Sequence, residues 1–232
     1  MSSSLADRTL RDVLEAFASP APTPGGGSAA ALAGALGSAL LVMVASLPKS
    51  RNGTSDERAI LDEARATLGD VQARLLALAD RDAAAYDLVV AAFRLPKGTD
   101  DEKAARAAAI QDAFRVATEV PLETLATCRE AQLVANAVSQ AAVASAASDV
   151  GVALHLLGSA SMGAMLNIET NITSLKDPLL VESLTARARA AVPTHERGDG
   201  PMMTSPVGEL MKSAILRFVR QLGTPPGASG PS

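Results

Sequence analysis

The most constraining feature of this chain is a run of thirty residues, Ser19–Pro48, without a single charge. It opens with Pro20, Pro22, Pro24 and the triplet Gly25-Gly26-Gly27, and then becomes an apolar segment of Ala, Gly, Ser and Leu from Ser28 to Leu47. The prolines and glycines confine any helix to Ser28–Leu47, with Ser28 as the expected cap. A helix so poor in large side chains buries itself by letting other helices approach closely. Its length also fits a membrane span. However, few large apolar residues lie within it and no Lys/Arg cluster flanks it closely, so a buried helix of a soluble bundle is the expectation.

The rest of the chain extends this picture. Leu10, Val13, Leu14 and Phe17 recur at helical spacing within Leu5–Ala18. Thr54 with Glu57, and Thr99 with Glu102, have capping-box spacing. They open helices expected to reach about Arg94 and about Glu119, separated by the turn Leu95-Pro96-Lys97-Gly98. Pro121 suits the first turn of a further helix to about Ala147. Ser148 is the expected cap of one reaching Ile172, and Leu179–Ala191 follows the break at Lys176-Asp177-Pro178. Aromatics make up 2% of the chain, and no strand-like alternation is present. The expected fold is all-α: a single-domain bundle of about seven helices over residues 1–192. Residues 193–232 are expected to hold a linker, a short helix at Val207–Leu222 and a disordered tail.

Composition narrows function. The formal net charge is −4 and no basic tract or basic-aromatic patch stands out, which disfavours nucleic-acid binding. One cysteine, Cys128, excludes an internal disulfide framework and fits a reducing compartment. The first 18 residues are charged and amphipathic, unlike a signal peptide. A cytoplasmic protein is the expectation. His155 and His195 are far apart with no partner nearby, so no metal site is expected.

Three constellations could carry chemistry. The stripe Leu61, Ala64, Leu68, Val71, Leu75, Leu78 continues through Asp82 and Tyr86 to Val89 and Phe93. Asp82 therefore projects onto the buried face, whereas Asp80 and Asp87 fall off it as solvated carboxylates. Burial would raise the pKa of Asp82 and suit it to proton transfer. A structural carboxylate held by a helix terminus or an arginine fits the same pattern. Tyr86, one turn on, could stack on or hydrogen-bond a ligand, or simply be core. The second constellation is Gly25, Gly26, Gly27 and Ser28, where backbone and helix N–H groups could approach a ligand, although the lysine of a Walker phosphate loop is absent. The third is the face carrying Asp149, Ala153, Leu156, Ala160, Gly163, Asn167 and Asn171. Its two amides could read a polar heterocycle or bond between helices.

Together these segments resemble the cyclodeaminase/cyclohydrolase family, which includes the C-terminal domain of formiminotransferase-cyclodeaminase and stand-alone methenyltetrahydrofolate cyclohydrolases. Pro24-Gly25-Gly26-Gly27-Ser28 resembles the family's Pro-Gly-Gly-Gly-Ser signature. Asp80-Arg81-Asp82-Ala83-Ala84-Ala85-Tyr86 with Leu95-Pro96-Lys97 resembles its Asp-x-Asp-Ala-x-Ala-aromatic and Leu-Pro-Lys pair. Ser148-Asp149, Gly163-Ala164, Asn167 and Asn171-Ile172 resemble its third block, and Val120-Pro121-Leu122 also fits. The resemblance implies an all-helical homodimer that binds a reduced folate, with or without a polyglutamate tail, and uses Asp82 as the proton-transfer residue. Substrate contacts are expected from Gly25, Gly26, Gly27, Ser28, Tyr86, Asp149, Asn167 and Asn171, and the anionic glutamate tail of a folate is expected to meet a positive rim at Lys97, with Lys49 and Arg51 as alternative providers. No cofactor beyond the tetrahydrofolate substrate is expected. The chain departs from the family pattern at Pro48–Gly53, where a Thr/Gly loop ending in an aromatic is usual. It departs again at Ala142-Val143, where a Gly-Asn pair is common. A non-catalytic folate-binding or scaffold protein is the alternative from another functional class.

Overall fold

The computed structural model describes residues 4–48 and 53–192. Six α-helices make up almost all of them: α1 (Leu10–Ala18), α2 (Gly26–Ser46), α3 (Ser55–Phe93), α4 (Asp100–Ala141), α5 (Ala147–Ile172) and α6 (Pro178–Ala191). The segments Leu5–Asp7 and Ala144–Ala146 are single 3₁₀ turns. Among the described residues there is no strand. The expected tail helix at Val207–Leu222 lies outside them.

Helices α2 to α5 form an up-down-up-down bundle in which each packs on its neighbours in the chain and α5 closes against α2. Their antiparallel order follows from which residues meet. Ser28 of α2 bonds to Ala79 of α3, and Gly34 lies against Leu75. Arg74 and Arg81 of α3 pair with Glu130 and Glu123 of α4. Gln132 of α4 reaches Ser161 of α5 at 3.3 Å. The α2–α5 contact depends on missing side chains. A Cβ on Gly163 would sit 2.9 Å from that of Ala30, and one on Gly37 would sit 2.9 Å from the carbonyl oxygen of Ala153. The small residues therefore bring two backbones together, as the composition suggested. A second apolar cluster, around Leu125, Ile168, Leu184 and Ala188, joins α6 to α4 and α5.

Two helices, α2 and the 144–172 segment, are long and apolar enough to cross a membrane. In this structure they pack against each other and against α3 and α4.

Several expected boundaries are corrected. The first expected helix is interrupted. Leu5–Asp7 is a 3₁₀ turn, and α1 starts afresh at a Thr9–Asp12 capping box. The boxes at Thr54–Glu57 and Thr99–Glu102 form as the sequence indicates. Helix α2 begins two residues before Ser28, with Gly25 at its cap, so Ser28 is an interior residue. Helix α5 begins at Ala147 without a side-chain cap, and Ser148 plays no capping role. The largest correction is at Pro121, which starts no helix: α4 runs through it for 42 residues. That is why six helices replace seven. A proline at position 121 cannot donate to the carbonyl of Ala117. The side-chain amide of Asn171 does so instead, from α5, at 2.6 Å. A bond between helices thus replaces the bond missing within one.

Candidate active site

The helices differ in length, and that difference creates the site. Helix α3 continues eleven residues beyond Asp82, whereas α2, which covers the same stripe of α3, begins only at Gly26. The stripe is fully covered at Leu68, Val71 and Leu75 and half-buried at Asp82. Past that point it comes into the open: Tyr86 is 42% and Phe93 50% exposed. Asp82 marks the place where the covering helix ends.

The carboxylate of Asp82 packs onto the first turn of α2. The Ser28 hydroxyl lies 3.0 Å from Asp82 Oδ2 and 2.8 Å from the carbonyl oxygen of Ala79. Ser28 itself is completely buried. Gly27 makes the approach possible, because a Cβ there would fall 2.1 Å from Asp82 Oδ1. The triplet therefore gives room to this carboxylate at one defined position. Burial pushes the Asp82 pKa above the ordinary carboxylate value, while hydrogen bonds from the Ser28 side chain and backbone pull it down. The net shift is upward.

Not every expected site residue is brought here. Asn167 is. It bonds to the Gly163 carbonyl at 2.9 Å, and its amide nitrogen would lie 3.7 Å from a Cβ on Gly26. Gly25 closes the turn as the cap of α2. Tyr86 follows Asp82 by one helical turn, but on the uncovered stretch rather than in the core. Asn171 is committed to the Ala117 carbonyl, so it repairs the bundle. Asp149 lies eighteen residues before Asn167 on one straight helix, about 27 Å away at the far end of the bundle. Lys97 is exposed in the turn after α3, and α3 covers about 16 Å between Asp82 and Phe93. Helix α2 spans about 30 Å, so its C-terminal end at Ser46 lies remote from Asp82 within one chain, and most of the Pro48–Gly53 departure lies outside the described residues.

Asp80 departs from its expected role as a solvated carboxylate. It accepts from the Ser4 hydroxyl and, at 2.8 Å, from the Leu5 N–H, fastening the N-terminal 3₁₀ turn to α3. Together with Arg8, Thr23, Pro24 and Asp87 it lines an open cavity of about 490 Å³ to which Asp82 does not contribute. Cys128 is buried, its thiol pushed up to about 12 mainly by burial, which makes it a packing residue.

Comparison with known proteins places this arrangement. The sequence model described as formiminotransferase-cyclodeaminase matches residues 9–190, from the cap of α1 to the end of α6. The chain belongs to the formiminotransferase-cyclodeaminase family. It is similar to the methenyltetrahydrofolate cyclohydrolase of Methylorubrum extorquens, with 38% identity over 176 residues, covering 76% of this chain and 85% of that protein. It is also similar to the formimidoyltransferase-cyclodeaminase of Rattus norvegicus, with 30% identity over 184 residues. That match covers 79% of this chain but 34% of the rat protein, so the chain spans about a third of that longer relative. The fold matches that of formiminotetrahydrofolate cyclodeaminase from Thermotoga maritima, with a TM-score of 0.72 at 18% identity, covering 94% of this chain and 96% of the other.

Proposed function

We propose that this chain opens the methenyl bridge of 5,10-methenyltetrahydrofolate with water, giving 10-formyltetrahydrofolate, and that Asp82 moves the protons. The observation that carries the proposal is the half-buried Asp82 carboxylate on the first turn of α2, with its pKa raised and one side open. In the first step, water attacks the methenyl carbon as Asp82 takes one of its protons. The resulting tetrahedral carbon then expels N5. Asp82 returns its proton to N5 as the carbon–N5 bond breaks, and the hydroxyl proton leaves as the formyl C=O forms. One proton is released overall. A group that serves as base and then as acid needs a pKa brought toward the working pH, and burial acts in that direction. Folate enters as the substrate, and this sequence of steps uses no metal or other cofactor.

The cyclohydrolase reaction is preferred because the Methylorubrum relative is matched over most of its length. The rat relative supports a second reading, in which N10 of 5-formiminotetrahydrofolate attacks the formimino carbon and ammonia leaves. One assay separates the two. Methenyl absorbance should fall when the protein is mixed with methenyltetrahydrofolate. A rise from 5-formiminotetrahydrofolate would support the second reading instead. Folate binding with neither change would make the chain a binding protein.

The reading includes a homodimer working in the cytoplasm. Leu36 and Met43 on α2 and Val152 and Leu166 on α5 leave an exposed apolar surface on two adjacent helices, and α2 carries no charge to oppose self-association. Light scattering at micromolar concentration should give twice the chain mass.

A further inference from the structure

The Ser28 hydroxyl faces two acceptors at once. Ala79 O is 2.8 Å away and Asp82 Oδ2 is 3.0 Å away, yet a hydroxyl has one proton to donate. Ser28 is wholly buried, so water is no alternative partner. The geometry points to Ser28 as a positioning residue whose hydroxyl turns with the proton on Asp82, donating to Asp82 when it is a carboxylate and to Ala79 when it is a neutral acid. In the neutral state the Asp82 O–H donates to Ser28 Oγ, and the Ser28 proton swings to Ala79 O. The balance is complete: one proton arrives at Asp82 Oδ2, one hydroxyl hydrogen rotates, and no heavy atom need move. Asp82 then keeps a bonded partner in both halves of an acid–base cycle.

The surroundings leave this role to Ser28. Helix α2 carries no titratable side chain, and α5 presents Asn167 to this turn. On α3, Asp80 is turned toward Ser4 and Leu5, Arg81 is paired with Glu123 of α4, and Tyr86 lies one turn on. The causes that move Asp82 are burial and Ser28, with no charged group among them.

The inference rests on the proposed role of Asp82, but its test requires no folate. The Asp82 carboxyl is titrated by carbon NMR in the intact protein and in Ser28→Ala, and unfolding is measured for both at pH values below and above the midpoint. Loss of a hydrogen bond to a charged group should move the midpoint upward by about one pH unit. Ser28→Ala should also unfold more easily on both sides of the midpoint, because the hydroxyl is bonded in both states. Ser28→Thr, which keeps the hydroxyl, should return the midpoint toward wild type. Destabilisation only above the midpoint would mean a donor fixed on Asp82 and would overturn the proposal. An unmoved or lowered midpoint would mean a hydroxyl fixed on Ala79 and would overturn it equally. If Ser28→Ala fails to fold, the Thr variant replaces it. A Thr midpoint displaced upward from wild type would also reject the switch. Should the protein prove inactive on folates, the NMR result would still stand or fall alone.

Discussion

Asp80 and Asp82 lie two residues apart on α3, and each meets a serine at the start of a helical turn. Asp80 accepts from Ser4 and Leu5 on a face beside an open cavity, whereas Asp82 accepts from Ser28 on the face that α2 covers. The motif is nearly the same and the surroundings differ. A carboxylate whose bonds hold the N-terminal turn onto α3 is an anchor. A carboxylate at the edge of a core, with its charged form disfavoured by burial, becomes able to exchange a proton. Position around the helix thus separates the anchor at Asp80 from the proton-transfer role proposed for Asp82.

The sharpest way to break this comparison is to neutralise each in turn. Asp82→Asn should lower turnover of the proposed reaction by about 100-fold or more while folate binding survives. Asp80→Asn should keep turnover within a few-fold and loosen the N-terminal turn, seen as faster amide exchange at Leu5. Equal losses in both would erase the distinction. Gly27→Ala comes next in size. The added Cβ cannot coexist with Asp82 Oδ1 at 2.1 Å, so the carboxylate or the first turn of α2 must shift. A displacement of that order should cost turnover tens-fold, whereas Gly25→Ala, whose Cβ would meet only Pro22 O at 3.5 Å, should cost far less.

A smaller effect concerns stability. The folded pKa of Asp82 lies above its unfolded value of about 3.9. Between those two values the native state holds more protons than the unfolded one, so stability falls as pH rises through that window. Asp82→Asn should lack that fall and be at least as stable as wild type at neutral pH by thermal melting. Smallest of all is Lys97→Glu. It should weaken binding of long-tail folates a few-fold more than of the monoglutamate, with the difference fading in added salt. Equal loss for both would remove Lys97 from any tail contact.

Much of this was legible in the sequence, for reasons that can be named. The stripe from Leu61 to Leu78 is periodic, and the break at Asp82 showed that a carboxylate must face the core. Capping boxes at Thr54 and Thr99 are local chemistry, and both formed. What escaped was set by partners distant in the chain. Pro121 reads locally as a helix start, because the amide that makes it tolerable, Asn171, is fifty residues away. Ser28 reads as a cap, because neither Asp82 nor Ala79 is visible from its neighbours. Asp80 reads as solvated until Ser4 and Leu5 fold back onto it. Asp149 shares a helical face with Asn167, but a shared face says nothing of distance along a 26-residue helix.

The central claim is that burial at the end of α2 makes Asp82 the group that exchanges protons during turnover. The most direct test follows the pH dependence of turnover on methenyltetrahydrofolate beside a carbon NMR titration of the Asp82 carboxyl in the same wild-type protein. The account predicts a carboxyl midpoint above the ordinary carboxylate range, and a limb of the turnover profile at that same pH that disappears in Asp82→Asn. A midpoint at the ordinary value, or a limb that persists unchanged in Asp82→Asn, would contradict it.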